Sequence, residues 1–287
     1  MVSAGGAVFA LESRLLFGEE RPEAPCVRAG IVTDVHYCDI PPAGSRHYEA
    51  SARKLREAVG VMNRVKPDFM IELGDFKDQS RDRDSTLKCL EYIESVYAGF
   101  KGDRFHVQGN HEFDCLSSED VFSRTPNAGK ICPKGYYSFE RGPLTFIVLD
   151  GCYTSGMKHY GSGVKWKWTD ANIPPEEIAW LEGVLEKAKK AVVFCHQRMD
   201  SKPRAHHGLK NAAQIREILK RSGKVKSVLT GHDHIGGISV EDGITYYTLH
   251  AMIEGPGNED NSYAVASFYE DGTMSVRGWH KAKTLNR

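Results

Sequence analysis

Five short groups of Asp, Asn and His punctuate this chain of 287 residues, and each follows a run that reads as a β-strand. Asp34-Val35-His36 comes after the run 29–33, Gly74-Asp75 after 69–73, and Gly109-Asn110-His111-Glu112 after 105–108. Cys195-His196 closes the run 191–195, and Gly231-His232-Asp233-His234 follows 225–230. In an open α/β sheet the carboxyl ends of the strands converge on one crevice. Groups that span ~200 residues of sequence are therefore expected to meet in one place. Alone, an Asp-x-His or Gly-Asp pair usually marks a capped turn, and a single His at a strand end is usually a satisfied polar residue. All five in order, each after a strand, are far more specific.

Between these groups the chain alternates strand and helix. Residues 48–64 put Ala52, Leu55, Val59 and Met62 on one helical face, and Asp84 is placed to cap a helix carrying Leu87, Leu90 and Ile93. This βαβαβ opening predicts a strand-centred α/β sandwich. The middle turns antiparallel, with the runs 136–140 and 144–149 on either side of Gly142-Pro143. Pro174-Pro175-Glu176-Glu177 opens a helix with Ile178, Leu181 and Leu185 facing inward, its acidic first turn suited to the helix dipole. A helix over 211–221 follows, and two hairpins turning at Glu241-Asp242-Gly243 and Glu270-Asp271-Gly272 finish the chain. Residues 115–133 and 153–173 carry neither period, and loops this long inside a compact domain are usually functional or mobile.

Hydrophobic content of 40% and charged content of 26% are ordinary globular values, so a core is available without staples. The formal net charge is zero, which leaves no long-range field to draw the chain to nucleic acid or an anionic membrane. Seven cysteines form an odd set without CxxC spacing and read as inert thiols of a reducing compartment. No stretch approaches the ~20 apolar residues of a membrane span. Residues 1–25 are expected to be a poorly ordered leader or the remnant of an export signal, and 26–287 a single domain. The cytoplasm is the expected compartment, with an exported or periplasmic location the alternative if a signal is present.

The motifs resemble the pattern DxH, GDxxD, GNH(D/E), H and GHxH of the calcineurin-like metallophosphoesterases, over roughly residues 30–234. The resemblance implies a β-sandwich of two mixed sheets flanked by helices, with the active site at strand carboxyl ends. It also implies hydrolysis of phosphate esters. Carried over, Asp34, His36 and His234 would bind one metal, Asn110, His196 and His232 the other, and Asp75 would bridge both. Mixed imidazole and carboxylate ligation suits two divalent or trivalent ions of Mn, Fe or Zn better than Ca or Mg. Such a pair neutralises phosphate oxygens and lowers the pKa of a bridging water, giving hydroxide for in-line attack. The leaving oxygen then needs a proton or a positive neighbour. The resemblance gives that task to His111 as general acid, oriented by Asp78, for which a turn cap in the loop 79–82 is the other reading. Glu112 could simply anchor its loop.

A finer similarity links Asp34 to Asp39, Gly109 to Phe113, Tyr136-Tyr137, Leu149-Asp150 and Ile253-Glu254 to the manganese-dependent ADP-ribose/CDP-alcohol diphosphatase branch. That branch commonly has Gln where this chain has His36. The expected substrate is a small-molecule phosphodiester or diphosphate, with a broad phosphomonoesterase, a nuclease and a non-catalytic scaffold as alternatives. Nucleic acid is disfavoured by the neutral charge, and the oligomeric state is open. For the substrate, Asn110, Arg198 and His159 are the candidate contacts. Arg198 either grips a phosphate or is a surface residue, and His206-His207 is an extra contact or a solvated pair. Trp166 and Trp168, near His159, either stack on a nucleobase or pack their loop against the body.

Overall fold

The computed structural model describes residues 24–287. All but the last two residues of the leader expected over 1–25 therefore lie outside the described residues. Strand β1 (Val27–Val32) leads through helix α1 (Tyr48–Val65) to β2 (Phe69–Glu72), and through α2 (Arg83–Tyr97) to β3 (Asp103–His106). A short helix α3 (Ser118–Phe122) then precedes the hairpin β4 (Tyr137–Arg141) and β5 (Leu144–Val148). Helix α4 (Pro175–Lys187), β6 (Ala191–Phe194), α5 (Ala212–Ser222) and β7 (Val225–Thr230) follow. The chain ends on β8 (Gly237–Glu241), β9 (Ile244–Thr248), β10 (Ser262–Phe268) and β11 (Met274–His280).

These strands form two mixed sheets, ordered β11-β10-β1-β2-β3 and β4-β5-β6-β7-β9-β8. Strands β1, β2 and β3 run parallel, as do β5, β6, β7 and β9, so every strand expected to carry a site group points its carboxyl end the same way within its sheet. The hairpins expected around Gly142, Gly243 and Gly272 are the antiparallel pairs β4–β5, β8–β9 and β10–β11.

Alternation along each strand sets the layers. Ala29, Ile31, Phe69 and Ile71 of one sheet meet Phe146, Val148, Val192 and Phe194 of the other in a dry core, with the rings of Phe69 and Phe146 5.2 Å apart. The opposite faces take the helices. Val32 and Met70 pack under Leu55, Val59 and Met62 of α1, and Ile147 and Val193 under Leu181 of α4 and Ile215 of α5. Leu55 is fully buried, and truncating such a side chain to Ala typically costs about 2–5 kcal/mol.

Two local expectations are corrected. Helix α2 is capped by Asp82, whose carboxylate accepts the Ser85 N–H at 2.7 Å, because Asp82 is extended while Asp84 already lies in the first turn. The loop 115–133 contains α3, opened by a capping box in which Ser117 and Asp120 satisfy each other's backbone N–H. Among the described residues no helix is long and apolar enough to cross a membrane, and Cys38, Cys89, Cys115, Cys132, Cys152 and Cys195 are free thiols.

Candidate metal centre

Backbone strain marks where the strand ends converge. Asp34, His36, Asp75 and His232 all have positive φ, between 46° and 65°, a region that non-glycine residues seldom occupy. Four such residues in one place indicate a geometry imposed by what the side chains must hold. Gly109 and Gly231 make the close approach feasible: a Cβ on Gly109 would collide with the Asp75 backbone, and one on Gly231 with Thr33.

The side chains form two clusters that share Asp75. Asp34, His36 and His234 make up the first, with Asp34 Oδ1 3.7 Å from His36 Nε2 and 3.4 Å from His234 Nε2. Asp75, His196 and His232 make up the second. Asp75 Oδ2 lies 3.1 Å from His196 Nε2 and 3.6 Å from His36 Nε2, so one oxygen faces both clusters. Asn110 lies buried beside them and lines the same cleft.

Their hydrogen bonds fix which atom each ligand presents. The Leu73 carbonyl can only accept, so at 2.8 Å it takes the His196 Nδ1 proton and turns Nε2 towards Asp75. Asp78 Oδ2 lies 3.2 Å from His36 Nδ1 and Glu254 Oε1 2.6 Å from His234 Nδ1, which turns the Nε2 atoms inward. Asp34 Oδ2 accepts from Thr33 Oγ1 and the His232 N–H, leaving Oδ1 free.

What remains is a set of buried polar atoms with no hydrogen-bond partner among the described residues: Asp34 Oδ1, His36 Nε2 and Asn110 Oδ1 among them. Leaving one such atom unpaired costs about 1–3 kcal/mol, so a cluster of them requires a partner of another kind. His196 Nε2 and His232 Nδ1 stand 3.1 Å apart, a distance at which two lone pairs repel unless a cation or proton lies between them. Divalent cations fit this oxygen and nitrogen donor set.

The electrostatics agree. Burial raises the Asp34 carboxyl, but His234 and His36 outweigh it and hold the group well below its ordinary range. Burial likewise opposes ionisation of Asp75, and His196 and His111 pull it far down. Burial disfavours a charged His196, yet Asp75 lifts it to about 10. Burial and the charge on His196 together push His232 well below the usual imidazole value.

Around this centre the expected roles divide. His111 lines the cleft with its side chain 23% exposed, and its Nδ1 is held by Asp114 Oδ2 at 2.8 Å, closer than Asp78 Oδ1 at 3.4 Å. Asp78 therefore serves His36 and His111 together, while Asp114, three residues on in a one-turn helix, is the nearer partner that sequence reasoning missed. Glu112 anchors the loop, accepting the N–H groups of Asp75, Phe76 and Gly109.

Two expected substrate contacts are corrected. Arg198 gives Nε and one Nη to Asp200 at 2.9 and 2.7 Å and the other Nη to Asp233 at 2.9 Å, so its fork is spent on buried carboxylates beneath the His232 loop. His159 stands between Asp150 at 3.0 Å and the Ser118 hydroxyl at 2.9 Å in a separate, smaller cavity, where it ties its loop to α3. The tryptophans divide as well. Trp166 stacks on Tyr160 at 4.5 Å, whereas Trp168 is 40% exposed and faces the cleft beside His207 and His232. The cleft itself has a volume of about 670 Å³ and is also lined by Arg46, Arg204, His207, His250 and Glu254.

The family model for calcineurin-like phosphoesterases matches residues 27–236, most of the chain and all five Asp, Asn and His groups of the centre. The chain belongs to the calcineurin-like phosphoesterase family. It is 26% identical to the manganese-dependent ADP-ribose/CDP-alcohol diphosphatase of Danio rerio, over 92% of this chain and 98% of that protein. It is also 28% identical to the protein of the same name from Oryza sativa subsp. japonica, over 81% of this chain and 85% of the other. Among solved structures, a dimetal phosphatase from Danio rerio superposes with a TM-score of 0.80 at 23% identity, covering 91% of this chain and 98% of that one. This calcineurin-like phosphoesterase thus has the two-sheet fold of its relatives and is a metal-dependent hydrolase of phosphate esters.

Proposed function

We propose that this phosphoesterase cleaves phosphodiester or diphosphate bonds in small molecules at the two clusters joined by Asp75. The observation that carries the reading is the set of orphaned, buried donor atoms around the one Asp75 oxygen that faces both clusters. Asp34, His36 and His234 would hold one cation, and Asn110, His196 and His232 the other, with Asp75 between. Bound divalent cations neutralise phosphate oxygens and make water acidic enough to supply a nucleophile at neutral pH. The chain's own residues do the rest. Asp78, Glu254 and the Leu73 carbonyl set the imidazole orientations, and His111 presents Nε2 to the cleft to give a proton to the departing oxygen.

The substrate class draws on the relatives named for ADP-ribose and CDP-alcohols and on the size of the cleft, about 670 Å³, which suits a small molecule. The formal net charge of zero speaks against a nucleic-acid substrate. Manganese, named for the relatives, is the first ion to test.

Metal-stripped protein should be inactive, and Mn²⁺ should restore hydrolysis of bis(4-nitrophenyl) phosphate, ADP-ribose and CDP-choline above that of 4-nitrophenyl phosphate. Activity surviving exhaustive chelation contradicts the metal reading. A clear preference for the monoester contradicts the substrate class.

A further inference from the structure

Arg46 stands at the mouth of the cleft, and its surroundings leave most of its hydrogen-bonding capacity unused. Its backbone is pinned: its N–H donates to the Ala43 carbonyl at 3.0 Å, its carbonyl accepts from Ala43 N–H at 3.0 Å, and it bridges to Glu254. The neighbouring segment is fixed the same way, through His47 N–H to the Ile253 carbonyl and Gly255 N–H to the Ser45 carbonyl. The guanidinium thus projects from a rigid stem. Among the described residues its one ion contact is Asp78 Oδ2 at 3.5 Å, and the side chain is 34% exposed. That carboxylate is already shared by His36 at 3.2 Å and His111 at 3.4 Å.

The other arginines nearby are differently placed. The fork of Arg198 is consumed by Asp200 and Asp233, and Arg204 rests on Asp233 at 3.1 Å and His207 at 3.0 Å. Arg204 makes both contacts through a single Nη and stands beside His207 and His232, whereas Arg46 is the cleft arginine that adjoins the Asp78–His111 pair with donors to spare. A guanidinium beside a site that takes cations is repelled by them, so its position is favourable chiefly when an anion comes between. Its planar fork matches the oxygens of a phosphate bidentately, and a phosphate ester is what this cleft is read as taking.

We infer that Arg46 is a specificity-determining residue that receives the departing phosphate of a diphosphate ester, on the side of the cleft where Asp78 joins it to His111. This rests on the reading of the chain as a metal-dependent phosphoesterase and extends it to the leaving group. In the step concerned, water's oxygen forms a bond to one phosphorus and the bond from that phosphorus to the bridging oxygen breaks. The bridging oxygen leaves with the electron pair on the second phosphate. Two phosphate monoesters result, and the two protons of water pass to the medium or in part to the products.

A phosphate monoester takes up its second charge near pH ~6, so at neutral pH it departs without needing a proton. What it needs is a counter-charge for the charge it gains, and Arg46 supplies one. An alcohol leaving group has the opposite requirement, a proton, which falls to His111. The same rim would thus serve two kinds of ester through two residues bound to one carboxylate.

The test compares manganese-loaded wild type with Arg46→Gln and Arg46→Lys on ADP-ribose, CDP-choline and bis(4-nitrophenyl) phosphate. Calorimetric binding of methylenediphosphonate against methylphosphonate provides a readout apart from turnover. Arg46→Gln should lower kcat/KM on the two diphosphates by about 10- to 100-fold, the loss typical of a charged hydrogen bond, and on the aryl diester by only a few-fold. Arg46→Lys should recover part of the loss, and the preference for methylenediphosphonate should vanish in the Gln variant. Equal losses on all three esters together with lost metal would make Arg46 a support for Asp78 and overturn the inference. Undiminished diphosphate turnover in Arg46→Gln overturns it too. Failure of the underlying reading looks different: the metal-loaded wild type itself would then cleave none of the esters.

Discussion

Which carboxylate governs His111 determines how its proton behaves. Asp114 holds Nδ1 at 2.8 Å, and Asp78, at 3.4 Å, is drawn equally towards His36 at 3.2 Å. Burial works against a charged His111, but Asp75, Asp114 and Asp78 together lift its pKa well above the ordinary imidazole value, which keeps a proton ready to give. Three variants separate these roles. His111→Ala should retain its metals yet slow esters with poor leaving groups by about 10²- to 10⁴-fold, and nitrophenyl esters much less, since nitrophenolate departs as a stable anion. Asp114→Asn should give a weaker form of the same pattern, because the imidazole keeps its place and loses its charged partner. Asp78→Asn should in addition lose metal, because His36 loses the group that turns its Nε2 inward. Metal analysis with a leaving-group series checks all three, and metal loss in His111→Ala would instead make that residue a ligand or a support.

Loops at the carboxyl ends of strands carry the centre, and their stability depends on groups beneath them. Arg198 links Asp200 to Asp233, both nearly fully buried, under the turn that presents His232 and His234. Arg198→Met leaves Asp200 without its cation and Asp233 with Arg204 alone, and should cost about 3–5 kcal/mol, seen as a fall in Tm of roughly 10 °C. A substrate contact would behave otherwise, with raised KM and unchanged Tm. The succession of strands and helices, the helix faces and the gathering of the five groups at one rim were legible in the sequence because strand and helix periods and chain-end convergence are local or topological facts. Arg198 and His159 were misread because the sequence shows that a side chain is polar and near a motif, and does not show which buried carboxylate will claim it. Asp114 was missed, and Glu254 was noted only as part of a motif, for the converse reason: each matters through one imidazole nitrogen, and only the folded chain brings it there.

At the scale of the molecule, the sandwich brings residues 34 to 254 to one rim while leaving the formal net charge at zero. A neutral body gives no general attraction for anions, so phosphate affinity must come from the centre and its rim. The two sheets contribute unequally to that centre: Asp34, His36, Asp75 and Asn110 follow strands of the first, and His196, His232 and His234 follow strands of the second. Asp75, of the second cluster, turns one carboxylate oxygen towards both clusters, 3.1 Å from His196 and 3.6 Å from His36 of the first. The most direct test is the metal content of purified, Mn²⁺-reconstituted protein by elemental analysis, wild type against Asp75→Asn. Two ions per chain are expected in the wild type, and in Asp75→Asn reduced occupancy of both sites together with lost turnover. Two fully retained ions and unchanged turnover in Asp75→Asn would contradict a centre bridged by that carboxylate.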